Sequence, residues 1–532
     1  MLFCHKASKL VYLSVAFQLI ACLSFIYGFF SIEDAPVDEY WSSWFSNHNN
    51  SDLDDNQQYD SNTSSSSQQH HQLRNIQRYC DEQAMSKQPL FDKLVFILID
   101  ACRADMMPSI CNATNLRDQL KCPHSRSMPF IESKLYERDA IGHLCEVNMP
   151  TLTMPRIKAL MTGSLPAFMD SVLNFNPIVF KGDSLLAAAK QRDKRIVFAG
   201  DDTWPDLFPA ELFHKIRRSP SFHVTDYKEC DDIVTQVGEE EMTLNDWDLL
   251  LLHYLGVDHI GHAHERFARM MSDKLKELDG VVGAMFTEIK NRTDNIRYLM
   301  VVTADHGMTN EGRHGSNSLQ ETMVPLVFLD GRSDSSAPSQ ISDSKVKQID
   351  IVNTLSALLG YDFPSRSKGR LIRATLDMMK MTSAHQSCVY LHNALHMMKF
   401  VEEDANKARI YDAELNLIVV QHDAAITNGT LDESVGDIIT LYDELILALQ
   451  NAIAFKAHPP NMLWVSLSNV IAIVSVTLLL LPRVTENLNA LHVVFYRPWL
   501  FVLVVLVVIP IFLSYTTSFI RAENVYWGKF SL

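Results

Sequence analysis

Residues 93–100 read KLVFILID, six apolar side chains in a row closed by Asp100. A run of that length, rich in β-branched and aromatic residues, predicts a strand buried on both faces. The pattern returns at Arg195–Ala199, Leu249–Leu252, Tyr298–Thr303 and Leu326–Leu329. Helical periodicity intervenes, most clearly over Glu265–Lys290, where Phe267, Met271, Leu275, Leu278, Val282, Met285 and Ile289 recur three or four apart and form one packing face. Strands alternating with helices predict a layered α/β domain around a mostly parallel central sheet, with its site at the carboxyl ends of the strands.

The residues at those ends are metal ligands by type. Asp100 closes LVFILID, Asp305 and His306 follow YLMVVTA, and LLLLHYLGVDHIGH carries Asp258 and His262 four residues apart, hence on one face of a helical turn. His314 lies in RHGS and Thr153 in MPTLTMPR. Oxygen and imidazole donors of this kind suit zinc or manganese, and two such ions can clamp an in-line displacement at phosphorus, with a hydroxyl as nucleophile. An isolated Asp at a strand end is usually a turn former, and an isolated Thr before Pro a helix cap. Their occurrence together, in order on one α/β pattern, points to a metal-dependent phosphoryl-transfer enzyme.

At 532 residues the chain exceeds one core and predicts a large domain of about 250–300 residues with additions. Residues 10–30 are an apolar run of spanning length behind His5, Lys6 and Lys9, read as a retained anchor with residues 1–9 in the cytoplasm. Residues 462–481 and 499–519 read as a transmembrane hairpin, its loop 482–498 cytoplasmic because of Arg483 and Arg497, with a lumenal tail over 520–532. Residues 31–90 form a linker, disordered where Ser, Asn, Gln, Asp and His dominate between Ser42 and His71. Residues 91–380 are the catalytic domain, and 381–461 a juxtamembrane helical extension. Asn-x-Ser/Thr triplets at Asn49, Asn62, Asn112, Asn291 and Asn428 fit a lumenal placement. Disulfides are expected there among Cys80, Cys102, Cys111, Cys122, Cys145, Cys230 and Cys388, with the pairing open. The net charge of −16 argues against nucleic acid as a partner.

The strings PTLTMPRIKALMTGSLP, RIVFAGDDTWPDLFP, DWDLLLLHYLGVDHIGH and DHGMTNEGRHGS resemble those of the glycosylphosphatidylinositol (GPI) ethanolamine phosphate transferases, most closely the transferase 2 group, in the alkaline phosphatase-like superfamily. The resemblance spans residues 91–330 and implies an alkaline phosphatase-like fold with two zinc ions. One would be held by Asp100, Thr153, Asp305 and His306, the other by Asp258, His262 and His314. Related nucleotide phosphodiesterases have a Lys-Thr-Phe-Pro string that aligns with Leu152-Thr153-Met154-Pro155, which makes Thr153 rather than Thr151 the nucleophile and places Asn174 beside the phosphate oxygens. The implied reaction moves phosphoethanolamine from phosphatidylethanolamine to a mannose, the second, of a GPI precursor in the endoplasmic reticulum membrane. These transferases usually continue into a long polytopic half, whose spans would hold the lipid acceptor or a small partner subunit.

Other residues near the strings are weighed individually. Arg103 and Arg156 read as phosphate contacts or surface ion pairs. The spacing of His253, His259 and His264 marks them as packing or supporting residues. Asp201, Asp202 and Trp204 would line a pocket for the ethanolamine cation unless Trp204 is a buried structural residue. Two rivals stand: an ecto-phosphodiesterase in which water replaces the sugar, and a non-catalytic relative that binds or regulates. A sulfatase is disfavoured because Arg156 falls one place early for its Cys/Ser-x-Pro-x-Arg string.

Overall fold

The structure, a computed structural model, describes Ile20 and residues 64–454 except 83–88, 108, 111–126, 138, 166–178, 220–225, 265–268, 333–339, 342–344 and 402–404. The elements below belong to the unit Val37–Phe455; Met1–Pro36 and Lys456–Leu532 make up a second unit. No helix among the described residues is long and apolar enough to cross a membrane. The apolar runs 10–30, 462–481 and 499–519 lie outside those residues, as do Asn49, Asn62 and Asn112, whereas Asn291 and Asn428 are exposed.

The centre is a nine-stranded sheet. Its strands are β1 (Lys93–Ile99), β2 (Ala140–Glu146), β3 (Ile196–Asp201), β4 (Lys215–Ser219), β5 (Leu249–Tyr254), β6 (Tyr298–Thr303), β7 (Met323–Asp330), β8 (Gln340–Ile341) and β9 (Val346–Lys347). The order is β4-β3-β5-β1-β6-β7-β2-β8, with β9 also on β2. Strands β4, β3, β5, β1 and β6 run parallel, and β7 is antiparallel to both β6 and β2. Every residue of β1, β5 and β6 is buried, as the uninterrupted apolar runs require of strands covered on both faces. Each buried Leu, Ile or Val there contributes on the order of 1.5–3 kcal/mol of transfer free energy.

The helices used below are α1 (Ser64–Glu82), α2 (Thr153–Thr162), α3 (Glu229–Leu244), α4 (Gly256–His264), α5 (Arg269–Asn291), α6 (Asp350–Leu359), α7 (Ser383–Met398), α8 (Ala405–Thr427) and α9 (Leu431–Ala454). The stripe expected after Glu265 is the buried face of α5, with Met271, Leu275, Leu278, Val282, Met285 and Ile289 all inside; Phe267 lies outside the described residues.

Ser64–His71, expected to be disordered, belongs instead to helix α1. Its apolar residues are few, but Leu73, Ile76 and Tyr79 join the hydrophobic core, and α1 packs on α7 and α8. Cys80 forms a disulfide with Cys388 of α7. Cys102, Cys145 and Cys230 are free and buried, so the crowd between Cys102 and Cys145 is not a disulfide cluster among its described members.

Candidate metal centre

Strand register assembles the site. Leu98 pairs with His253 of β5 and with Thr303 of β6, so these three side chains point to one face of the sheet. Two residues on, the same face receives Asp100 and Asp305. Three adjacent strands thus end at one edge with Asp100, His253 and Asp305 together, and their ligand atoms all lie within 4.8 Å of one another. The sequence marks His253 as a packing or supporting residue, and its register with Leu98 places it on the face that carries Asp100.

Helix α4 brings the second group. The buried carboxylate of Asp231, on α3, accepts from the backbone N–H of Leu255 and of Gly256 at 2.9 and 3.1 Å, which fixes the turn from β5 into α4. A side chain at Gly256 would meet Asp231 Oδ2 at 2.4 Å. Asp258 and His262 follow on one face of α4, with His262 Nε2 3.3 Å from Asp258 Oδ2. The loop after His306 closes on this helix at Gly312, whose φ is +68° and whose added Cβ would lie 1.8 Å from the Gly261 carbonyl oxygen. The closure sets His314 Nε2 3.1 Å from His262 Nε2 and 3.6 Å from Asp258 Oδ1.

The tautomers follow from the partners. His306 Nδ1 lies 3.1 Å from the Gly307 carbonyl oxygen and His314 Nδ1 lies 2.9 Å from that of Thr151. A carbonyl only accepts, so each Nδ1 carries the proton and each Nε2 offers a lone pair to the site. His306 Nε2 is 3.3 Å from Asp305 Oδ2, 3.8 Å from Asp100 Oδ1 and 3.5 Å from Thr153 Oγ1. Asp100 Oδ1, Asp258 Oδ1 and Asp305 Oδ2 are buried and accept no hydrogen bond from the described residues. Burial, then the nearby Asp305, Asp258 and Asp201 carboxylates, push the Asp100 carboxyl well above its ordinary range, and burial with His314 beside it holds His306 well below its own. Lone pairs and orphaned carboxylate oxygens facing one another are the donor set of a divalent cation, and these residues fit one.

Thr153 is the first residue of α2, with Leu152 as N-cap, so its hydroxyl is not a cap. Thr151 is committed elsewhere: its hydroxyl donates to the Ser316 carbonyl oxygen and accepts from Gly315 N–H. Asn174 lies outside the described residues. The seven other candidates, Asp100, Thr153, Asp258, His262, Asp305, His306 and His314, converge.

Sequence reasoning missed Gln348, whose amide donates to the carbonyls of Ala304 and Asp305 and pins the loop after β6; no motif marks it. Arg103 and Arg156 are buried rather than on the surface. Arg103 pairs with Asp105 and donates to the Met308 carbonyl oxygen; Arg156 donates to Gln348. Trp204 is buried against Phe198 and Phe208, with no face open to an ammonium group. His259 Nδ1 donates to the Asp226 carbonyl oxygen, and His264 meets the Tyr227 hydroxyl on the surface.

Residues 195–325, which carry most of these candidates, match the family model of type I phosphodiesterase / nucleotide pyrophosphatase. A human protein named GPI ethanolamine phosphate transferase 2, catalytic subunit, is 36% identical over 320 residues, 59% of this chain and 31% of its own length. The chain is similar to GPI ethanolamine phosphate transferases. The Schizosaccharomyces pombe transferase 2 is 34% identical over 56% of this chain and 41% of its own, and that of Aspergillus fumigatus 32% over 63% and 43%. The match therefore covers less than half the length of these curated relatives. Among solved structures, an alkaline phosphatase superfamily protein from Vibrio parahaemolyticus is 16% identical over 54% of this chain and 70% of its own, with a TM-score of 0.39. The periplasmic domain of EcEptC from Escherichia coli in complex with Zn is 16% identical over 53% and 87%, with a TM-score of 0.38.

Proposed function

We propose that this chain transfers phosphoethanolamine from phosphatidylethanolamine to a mannose, the second, of the GPI precursor. Thr153 is the nucleophile and Asp100, Asp258, His262, Asp305, His306 and His314 hold two divalent ions, zinc by donor type. The observation that carries the reading is the set of buried carboxylate oxygens without partners, facing imidazole lone pairs beside the Thr153 hydroxyl. Bound cations would neutralise phosphate charge and acidify that hydroxyl.

In the first displacement Thr153 Oγ1 forms a bond to phosphorus, the bond from phosphorus to the diacylglycerol oxygen breaks, and the departing oxygen takes up a proton. Phosphoethanolamine is left esterified to Thr153. In the second, the mannose hydroxyl displaces Thr153, which regains its proton. The N-terminus of α2 directs its dipole at the phosphate, and the Asn174 amide is assigned to a non-bridging oxygen. The names of the curated relatives favour a sugar acceptor over water. Their membership of GPI-anchor synthesis supports placement in the endoplasmic reticulum membrane, with the catalytic domain lumenal between an anchor at 10–30 and a hairpin at 462–519, and room for a small partner subunit.

The test is mass spectrometry of GPI glycans from cells lacking this transfer, complemented with the wild-type chain or with Thr153→Ala. Restoration of phosphoethanolamine on the second mannose by the wild type alone is expected. If neither restores it and the purified protein instead hydrolyses phosphodiesters, the phosphodiesterase reading replaces this one.

A further inference from the structure

We propose that Trp204 and His253 form a donor relay that positions Asp100, and that His253 is a positioning residue and not a ligand of the metal centre, an inference that rests on the metal-site reading above. Geometry alone leaves both roles open. His253 Nε2 lies 3.4 Å from Asp100 Oδ2 within the Asp100, His253 and Asp305 group, close enough for a shared cation.

The hydrogen bond behind the ring decides between them. Trp204 Nε1 lies 3.1 Å from His253 Nδ1, and both residues are buried. An indole N–H only donates, so Nδ1 must carry the lone pair and the proton of a neutral ring must sit on Nε2. A protonated Nε2 has no lone pair for a metal, but it has a donor for a carboxylate. The contrast with the two neighbouring rings is direct. In His306 and His314 the partner of Nδ1 is a carbonyl, which frees Nε2 as a ligand. In His253 the partner is an indole, which reverses the ring's polarity toward the same site.

Among the described residues His253 Nε2 has no hydrogen-bond partner, and its nearest ionic oxygen is Asp100 Oδ2 at 3.4 Å, an acceptor within reach of its N–H. A donor at Oδ2 leaves Oδ1, the oxygen 3.8 Å from His306 Nε2, to face the cation. The relay is itself held rigidly. Trp204 packs at 5.4 Å between ring centroids on Phe198 of β3 and at 6.2 Å on Phe208. Trp204 of the GDDTW string is thus a buried structural residue that supports the metal site from behind. Supporting groups of this kind change metal affinity by about 10- to 100-fold when removed.

The experiment measures zinc retained by the purified full-length chain against increasing chelator, for wild type, Asp100→Ala, His253→Gln, His253→Asn and Trp204→Phe. Gln places an amide donor near the Nε2 position and should retain zinc close to wild type. Asn can still accept from the indole but is too short to reach Asp100, and should lose one ion at about tenfold lower chelator or less. Trp204→Phe, which keeps an aromatic ring on Phe198, should fall between them and serves in place of the Asn variant if that one does not fold. His253→Gln losing one ion outright, as Asp100→Ala does, would show a ligand and overturn the proposal. So would wild-type retention in both His253→Asn and Trp204→Phe, or a wild-type chain that binds no divalent metal. The readout contains no phospholipid and no glycan, so a failed transferase assay does not touch it.

Discussion

The two halves of the proposed metal centre are built alike and buried differently. In one, Asp100, Asp305 and His306 are nearly inaccessible, at 3%, 0% and 0% side-chain exposure. In the other, Asp258, His262 and His314 keep 14%, 34% and 15%. The first half hangs on strand ends deep in the sheet, and the second on a helix and a loop that meet at Gly312. A deep half beside Thr153 suits a cation that stays through the cycle. A wetter half, open to solvent, suits the place where one oxygen nucleophile replaces another.

The largest test of that difference is Asp305→Asn, which leaves the shape and removes a charge from the dry half. It should lower transfer by about 10^3-fold or more and release one ion irrespective of added zinc, read by metal content and turnover together. Next comes a change outside both halves. Cys80→Ser should cost roughly 3 kcal/mol of stability in denaturant unfolding while leaving zinc content unchanged; altered metal content would mean the asymmetry is imposed from the helical layer. His262→Ala should weaken zinc at the wetter half on the order of 10^2-fold, and excess zinc should restore much of the activity. Failure of zinc to rescue it would erase the distinction between the halves.

The smallest expected effect concerns acid. His143 and His396 are buried, and burial depresses both to about 3, so the folded chain does not protonate them while the unfolded chain does below about 6.5. Stability should therefore fall as pH drops from about 6.5 toward 3, by about 2 kcal/mol per histidine at pH 5. His396→Gln should flatten the unfolding free energy against pH; an unchanged slope would remove this histidine as a cause.

Strands β1, β3, β5 and β6 were legible because each is an unbroken apolar run, and the candidates Asp100, Asp305 and His306 stood out because they follow two of those runs closely. Strand β2, AIGHLCE, was not, since Gly142 and His143 interrupt its pattern and its place beside β7 is a long-range pairing. Strand β4, KIRRS, is a charged, partly exposed edge. Helix α1 is polar along most of its length and is held by Cys388, more than three hundred residues away, a partner no local pattern contains. The same limit holds for His253, which reads from the sequence only as a packing or supporting residue: its own strand gives alternation, and which face that alternation serves depends on the register with β1.

The link from Cys80 to Cys388 turns the chain between them into a covalent ring that includes every strand of the sheet and every residue proposed to hold metal. A protease that nicks this ring once produces no separate fragments: the pieces stay tethered, and only reduction lets them part on a gel.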